Sequence, residues 1–151
     1  MKPADDNPPI AELLPQAAPM ILLSGYETPA RDDAVTAFAA ITPSSPFFED
    51  ELGGVPACVA LEYMAQTMAL CVGFHRRRRG LPPQVGYVLG SRRLELGLEK
   101  FACGATYAVT ATCTFEDEEF GSFDCTITDP SGACVARATL TAYQPGPDDT
   151  P

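Results

Sequence analysis

Between Pro56 and Arg79 the chain carries an apolar stretch that is too long for a strand and is spaced for a helix. Cys58, Leu61, Met64, Ala65, Met68, Cys71 and Val72 recur at three- and four-residue intervals, the repeat that lines one helical face. Val59, Ala60, Ala69 and Leu70 fall on other faces, so the helix is apolar nearly all round and has to be buried on most sides. Pro56 suits its first turn, where the missing N–H would have had no intrahelical partner. Arg76, Arg77, Arg78 and Arg79 set positive charge on the negative end of the helix dipole, and Gly80, Pro82 and Pro83 stop it. Whatever else the chain forms has to wrap this helix.

The flanking sequence supplies strands. Residues 10–14 suit a short helical turn that Pro15 ends. Residues 20–26 and 34–41 suit an antiparallel pair, joined by the turn signal Thr28-Pro29-Ala30-Arg31-Asp32-Asp33. Residues 42–55, with two prolines, two glycines and three consecutive acids, predict an irregular loop. After the helix the period falls to two, predicting strands over residues 85–98, 106–115, 122–128 and 134–143 with turns at Gly104, 116–121 and 129–132. Gly86-Tyr87-Val88-Leu89-Gly90 is too short and wrongly ordered for a phosphate loop and belongs to the first of these strands. Two strands, a long buried helix and four strands make an α+β layout: about six antiparallel strands around one central helix. The length of 151 residues allows one core, placed over residues 10–145, with a flexible lead-in at 1–9 and a flexible tail at 146–151.

Composition excludes several classes of function. A net charge of −10 argues against nucleic acid as the main partner. Six of the ten Lys and Arg residues nevertheless fall between positions 76 and 93: the four helix-end arginines with Arg92 and Arg93. Polar residues and breakers interrupt the apolar runs before the roughly 20 residues that span a bilayer, so no membrane segment is expected. Six cysteines without C-x-x-C spacing and a single histidine, His75, predict reduced, buried thiols of a cytoplasmic protein, with no metal site.

Glu62 and Gln66, one turn apart, form a polar spot on the apolar helix. A carboxylate there is paired, raised in pKa or turned to a cavity. Two readings are open: a structural or solvent-facing residue, and a general acid/base lining an acyl pocket.

The segment Val55-Pro56-Ala57-Cys58-Val59-Ala60-Leu61-Glu62-Tyr63-Met64-Ala65-Gln66 resembles the central helix of the 3-hydroxyacyl-acyl carrier protein dehydratases, whose pattern is Pro-Gly-x4-Glu-x-Met-Ala-Gln. Pro56, Glu62, Met64, Ala65 and Gln66 match in register. The Leu14-Pro15 opening, Phe47-Phe48 and Gly104 extend the resemblance over residues 12–145. It implies the hotdog fold, with two subunits joining their sheets and acyl tunnels at the interface. It also implies dehydration of a 3-hydroxyacyl thioester in fatty-acid or polyene type synthesis. The substrate would ride on the phosphopantetheine of acyl carrier protein, with no other cofactor. On this reading Glu62 is the acid/base and Gln66 orients it or holds substrate. The amides of Ala57 and Cys58 polarise the thioester carbonyl, and Arg76, Arg77, Arg78, Arg79, Arg92 and Arg93 steer the acidic carrier.

The departure from the family lies in the loop that carries its catalytic histidine, here Phe47-Phe48-Glu49-Asp50-Glu51-Leu52-Gly53-Gly54. Asp50 and Glu51 are the candidates for the vacant role. His75 lies thirteen residues beyond Glu62 in the sequence, roughly 20 Å along the helix axis. Three functions stay open: a dehydratase, a non-catalytic carrier-binding partner of an active dehydratase, and a hotdog thioesterase whose carboxylate attacks the thioester or activates water. The all-round apolar helix predicts a dimer, homomeric or with another hotdog chain.

Overall fold

The computed structural model describes residues 8–84 and 86–145, so the expectations for residues 1–7 and 146–151 lie outside the described residues. In chain order the elements are α1 (Ile10–Leu13), β1 (Gly25–Tyr26), β2 (Ala34–Ala40), β3 (Gly54–Pro56), a 3₁₀ turn (Ala57–Val59), α2 (Ala60–Arg78), β4 (Tyr87–Leu96), β5 (Lys100–Ala102), β6 (Thr106–Glu116), β7 (Phe120–Thr128) and β8 (Cys134–Tyr143). Six strands form one antiparallel sheet in the order β1-β2-β6-β7-β8-β4, and β3 pairs separately with β5. This is the α+β hotdog arrangement, a sheet wrapped on a single long helix.

Helix α2 lies across β2, β6 and β7. The sheet receives it on a buried alternation, Val35, Ala37 and Ala39 from β2 and Tyr107, Val109 and Ala111 from β6. Its own buried side includes Tyr63, Met64, Thr67, Met68, Leu70 and Cys71. Three rings anchor the N-terminal end. Tyr63 meets Phe101 edge-on with centroids 5.1 Å apart, and Phe101 meets Tyr107 at 4.9 Å. Burial pushes the Tyr63 hydroxyl up to about 12. By length and composition the stretch Ala57–Arg78 would also pass for a membrane span, but here it is the core helix.

Three local expectations change. Only Gly25–Tyr26 of residues 20–26 joins the ladder, because the Gln66 side chain takes the groups that strand pairing would use. The Leu22 N–H donates to Gln66 Oε1 at 2.9 Å, and Gln66 Nε2 donates to the Met20 carbonyl at 2.5 Å. The end of the loop at 42–55 becomes β3, since Gly54 lets the backbone approach Phe101 more closely than a side chain would allow. Strand β4 is exposed at all ten positions, bonded to β8 on one side, with two register shifts and Arg93 at φ 55°. It is the open edge of the sheet.

The cysteines are a correction. All six are free, but only Cys71 and Cys125 are buried; Cys113 is half-buried and Cys58, Cys103 and Cys134 are exposed. Apolar sequence neighbours did not report burial because Cys58 and Cys103 lie in turns and Cys134 begins a strand, whose faces alternate. Desolvation pushes the Cys71 and Cys125 thiols up to about 12, so they stay protonated and unreactive near neutral pH.

Pro8, placed by sequence in the lead-in, is buried, and its carbonyl accepts the Tyr26 hydroxyl. Helix α1 then crosses α2 at Gly73, where a Cβ would lie 2.2 Å from the Leu13 carbonyl oxygen. Gly73→Ala is therefore expected to lower stability by about 1–3 kcal/mol, outweighing the gain in helix propensity. Gly90→Ala, with nothing within 4 Å of its Cβ, should stay within about 0.5 kcal/mol. Urea unfolding midpoints of the two variants check this.

Candidate active site

The sheet leaves one stripe of α2 uncovered. Glu62, Ala65, Ala69, Val72 and Arg76, spaced three and four apart, form the floor of a cleft of about 240 Å³. Val88, Phe120, Phe123, Ala142 and Tyr143 build its apolar wall from β4, β7 and β8. The small side chains of Ala65 and Ala69 leave the depth. Leu13, Pro15 and Gln16 close the side next to α1, while Gln84, Gln144 and the turn Glu116-Asp117-Glu118-Glu119 close the other.

Glu62 stands in the first turn of α2, exposed on the cleft wall. Periodicity shows that a helix is apolar and not which stripe its sheet leaves open. Of the three fates open to such a residue, the structure realises the one that faces a cavity. Gln66 is 4% exposed, and its amide is spent on Met20 and Leu22 rather than on Glu62. It acts as a strut between α2 and the segment leading into β1.

The remaining candidates are dispersed. The Ala57 amide donates to the Glu99 carbonyl at 3.2 Å, so it is not free to polarise a thioester; Cys58 is exposed in the same turn and keeps that candidacy. Asp50 and Glu51 sit in a tight turn in which Gly53 N donates back to the Glu49 carbonyl, fastened from β5 by Lys100 Nζ on the Leu52 carbonyl at 2.7 Å. Among the described residues that line the cleft, none comes from this turn. His75 borders a different hollow, with Asp32, Asp33, Cys71 and Cys113. The structure brings neither loop acid nor histidine to Glu62.

The arginines do not make one patch. Arg76 donates to the Pro82 carbonyl and to Gln84 Oε1, Arg77 pairs with Glu12 at 3.3 Å, and Arg78 pairs with Asp32. These arginines tie the helix end to α1 and to the turn before β2. Arg92 and Arg93 lie on the open strand β4. The acidic turn on the cleft rim escaped sequence reasoning, which took residues 116–121 only as a connection. Its signal was the run of four acids between Phe115 and Phe120. Asp117 caps that turn by accepting from the Glu119 and Phe120 amides, which hold its carboxyl below the usual range.

A carboxylate at the edge of a long apolar cleft suits thioester chemistry, and sequence comparison places the chain. The ApeP-like family, described as ApeP dehydratase, matches residues 8–150. The chain belongs to this family. The ApeP-like chain is similar in structure to a chain of the dehydratase heterocomplex ApeI:P from Xenorhabdus doucetiae, at 28% identity, TM-score 0.87 and 95% coverage of both chains. More distant likenesses carry the fold alone. One is a hypothetical thioesterase with coenzyme A from Streptococcus pneumoniae, 20% identical, TM-score 0.63, covering 83% of this chain and 89% of that one. Another is the E. coli PaaI protein of the phenylacetic acid degradation operon, 12% identical, TM-score 0.60, covering 79% and 81%. No curated protein sequence matches the chain.

The roles of the two polar residues separate in a stability measurement. Gln66→Leu is expected to cost about 1–3 kcal/mol by leaving the Leu22 N–H and Met20 carbonyl without their partner. Glu62→Gln is expected to change stability by less than about 0.5 kcal/mol. Urea titration of both variants measures the difference.

Proposed function

We propose that this ApeP-like chain works as one subunit of a mixed hotdog dehydratase, supplying Glu62 to a site whose histidine comes from a second, different hotdog chain. One observation carries the reading: Glu62 faces an apolar cleft, while the only histidine in the sequence borders another hollow. The resemblance of the helix motif to acyl carrier protein dehydratases and the heterocomplex origin of the similar Xenorhabdus chain support it.

The substrate is a 3-hydroxyacyl thioester on acyl carrier protein. One group removes the proton between the thioester carbonyl and the hydroxyl-bearing carbon. The C–O bond then breaks as the other group hands a proton to the departing hydroxyl, leaving a 2-enoyl thioester and water. Glu62 and the partner's imidazole share these duties, and the acyl chain lies along α2 over Ala65, Ala69 and Val72. The start of α2, with the Cys58 amide, is placed to meet charge developing on the thioester oxygen. The acidic carrier docks beside the arginines at the end of α2. We assign the assembly to fatty-acid or polyene type synthesis in the cytoplasm, where the cysteines stay reduced.

The test is turnover of a 3-hydroxyacyl carrier thioester by this chain alone, by a histidine-bearing hotdog dehydratase of the same source alone, and by the mixture. The mixture should dehydrate and this chain alone should not. Glu62→Gln should slow the mixture by roughly 10²-fold or more with little change in substrate binding. Turnover by this chain alone would refute the shared site. A mixture indifferent to Glu62→Gln would make the chain a non-catalytic partner, and release of free carrier thiol would make it a thioesterase.

A further inference from the structure

The open edge of the sheet carries a charge pattern that bears on which chain can pair with it. Strand β4 is bonded to β8 along one side only, and all ten of its residues are exposed. Tyr87, Val88, Leu89, Leu94 and Leu96 are among the most exposed large apolar side chains of the protein. A long, apolar, unpaired edge calls for a partner strand. Yet its middle holds Arg92 and Arg93, and among the described residues neither is in an ion pair.

We propose that β4 pairs antiparallel with the edge strand of a non-identical chain, and that Arg92 and Arg93 select that chain by meeting carboxylates on it while disfavouring a second copy of this one. This rests on the mixed-dimer reading above and adds its specificity determinant. In a two-fold antiparallel pairing over the full strand, residue 87 of one copy faces residue 96 of the other. Arg92 and Arg93, in the middle of the strand at its second register shift, then meet their counterparts near the centre of the pair, which crowds four guanidinium groups together. Like charges at such spacing weaken a strand pair. Sliding the copies until Arg92 faces Glu95 shortens the overlap to residues 91–96 and leaves Tyr87, Val88 and Leu89 uncovered. It also competes with Arg137, whose Nε already lies 3.6 Å from Glu95. A net charge of −10 on each copy adds longer-range repulsion at low salt. A different chain with Asp or Glu at the positions facing Arg92 and Arg93 keeps the full overlap and removes the central conflict.

A charge-swap mixture tests this without the natural partner. The full-length chain and its Arg92→Glu/Arg93→Glu variant are each run alone and then mixed one to one in analytical ultracentrifugation, at low and high salt. Each alone opposes like charges on β4, whereas the mixture opposes Arg to Glu. The mixture should therefore associate about tenfold more tightly than either alone, with the advantage shrinking at high salt. Equal association of the unmodified chain and the mixture would overturn the proposal, as would no association in the mixture. Should the double glutamate variant fail to fold by circular dichroism, Arg92→Gln/Arg93→Gln takes its place and should strengthen self-association several-fold; an unchanged value would reject the selector role. Assembly is read without substrate, so this result and the Glu62 turnover result can fail separately.

Discussion

Helix α2 has apolar residues around more of its circumference than one sheet can cover, and the rest of the molecule is arranged by that constraint. The sheet takes the side that carries Tyr63, Met64, Thr67 and Cys71. A second side is covered by the N-terminal segment, which reaches the helix through two contacts that tolerate little change. Gly73 has no side chain where the Leu13 carbonyl arrives, and Gln66 is long enough to satisfy two backbone groups of residues 20–22. What remains is the stripe from Glu62 to Arg76. That stripe becomes a cleft because residues of β7, β8 and the start of β4 stand opposite it as a wall.

The chemistry follows from what this leftover stripe contains. The apolar wall and the alanines on the floor suit a hydrocarbon chain, and Glu62, the carboxylate that α2 itself contributes, suits proton transfer. Dehydration is commonly run by an acid and a base acting together, and the proposed mixed dimer draws the second group, an imidazole, from the partner chain. The sheet's open edge at β4 lies on the wall of the same cleft through Val88. In the proposed mixed dimer, a partner that completes the sheet would border the cleft that Glu62 lines, which would answer the apolar demand of α2 and the unpaired edge together.

Local periodicity made the central elements legible. The long helix and the short turn ended by Pro15 rest on backbone contacts within a few residues, and the strand at residues 134–143 shows itself as a two-residue alternation, patterns that a sequence displays directly. The glutamate and glutamine one turn apart looked alike in sequence, and tertiary packing separated them: Gln66 turned inward to backbone partners and Glu62 turned to the open stripe. The sequence could not show that the Ala57 amide is taken by Glu99, forty-two residues away, or that Arg77 and Arg78 serve Glu12 and Asp32. The same limit hid β3, whose pairing depends on Gly54 meeting Phe101. The dehydratase resemblance survived because its motif sits on the one helix that had to be buried.

The central claim is that Glu62 and a partner's histidine share one substrate across the subunit boundary. A crystal structure of this chain bound to a histidine-bearing hotdog dehydratase, with an unreactive 3-hydroxyacyl thioester analogue, measures it directly. The account predicts that the Glu62 carboxylate and the partner's imidazole both lie within about 3–3.5 Å of the analogue's reacting region. An analogue held wholly by the partner's own residues, with Glu62 left facing solvent, would contradict it.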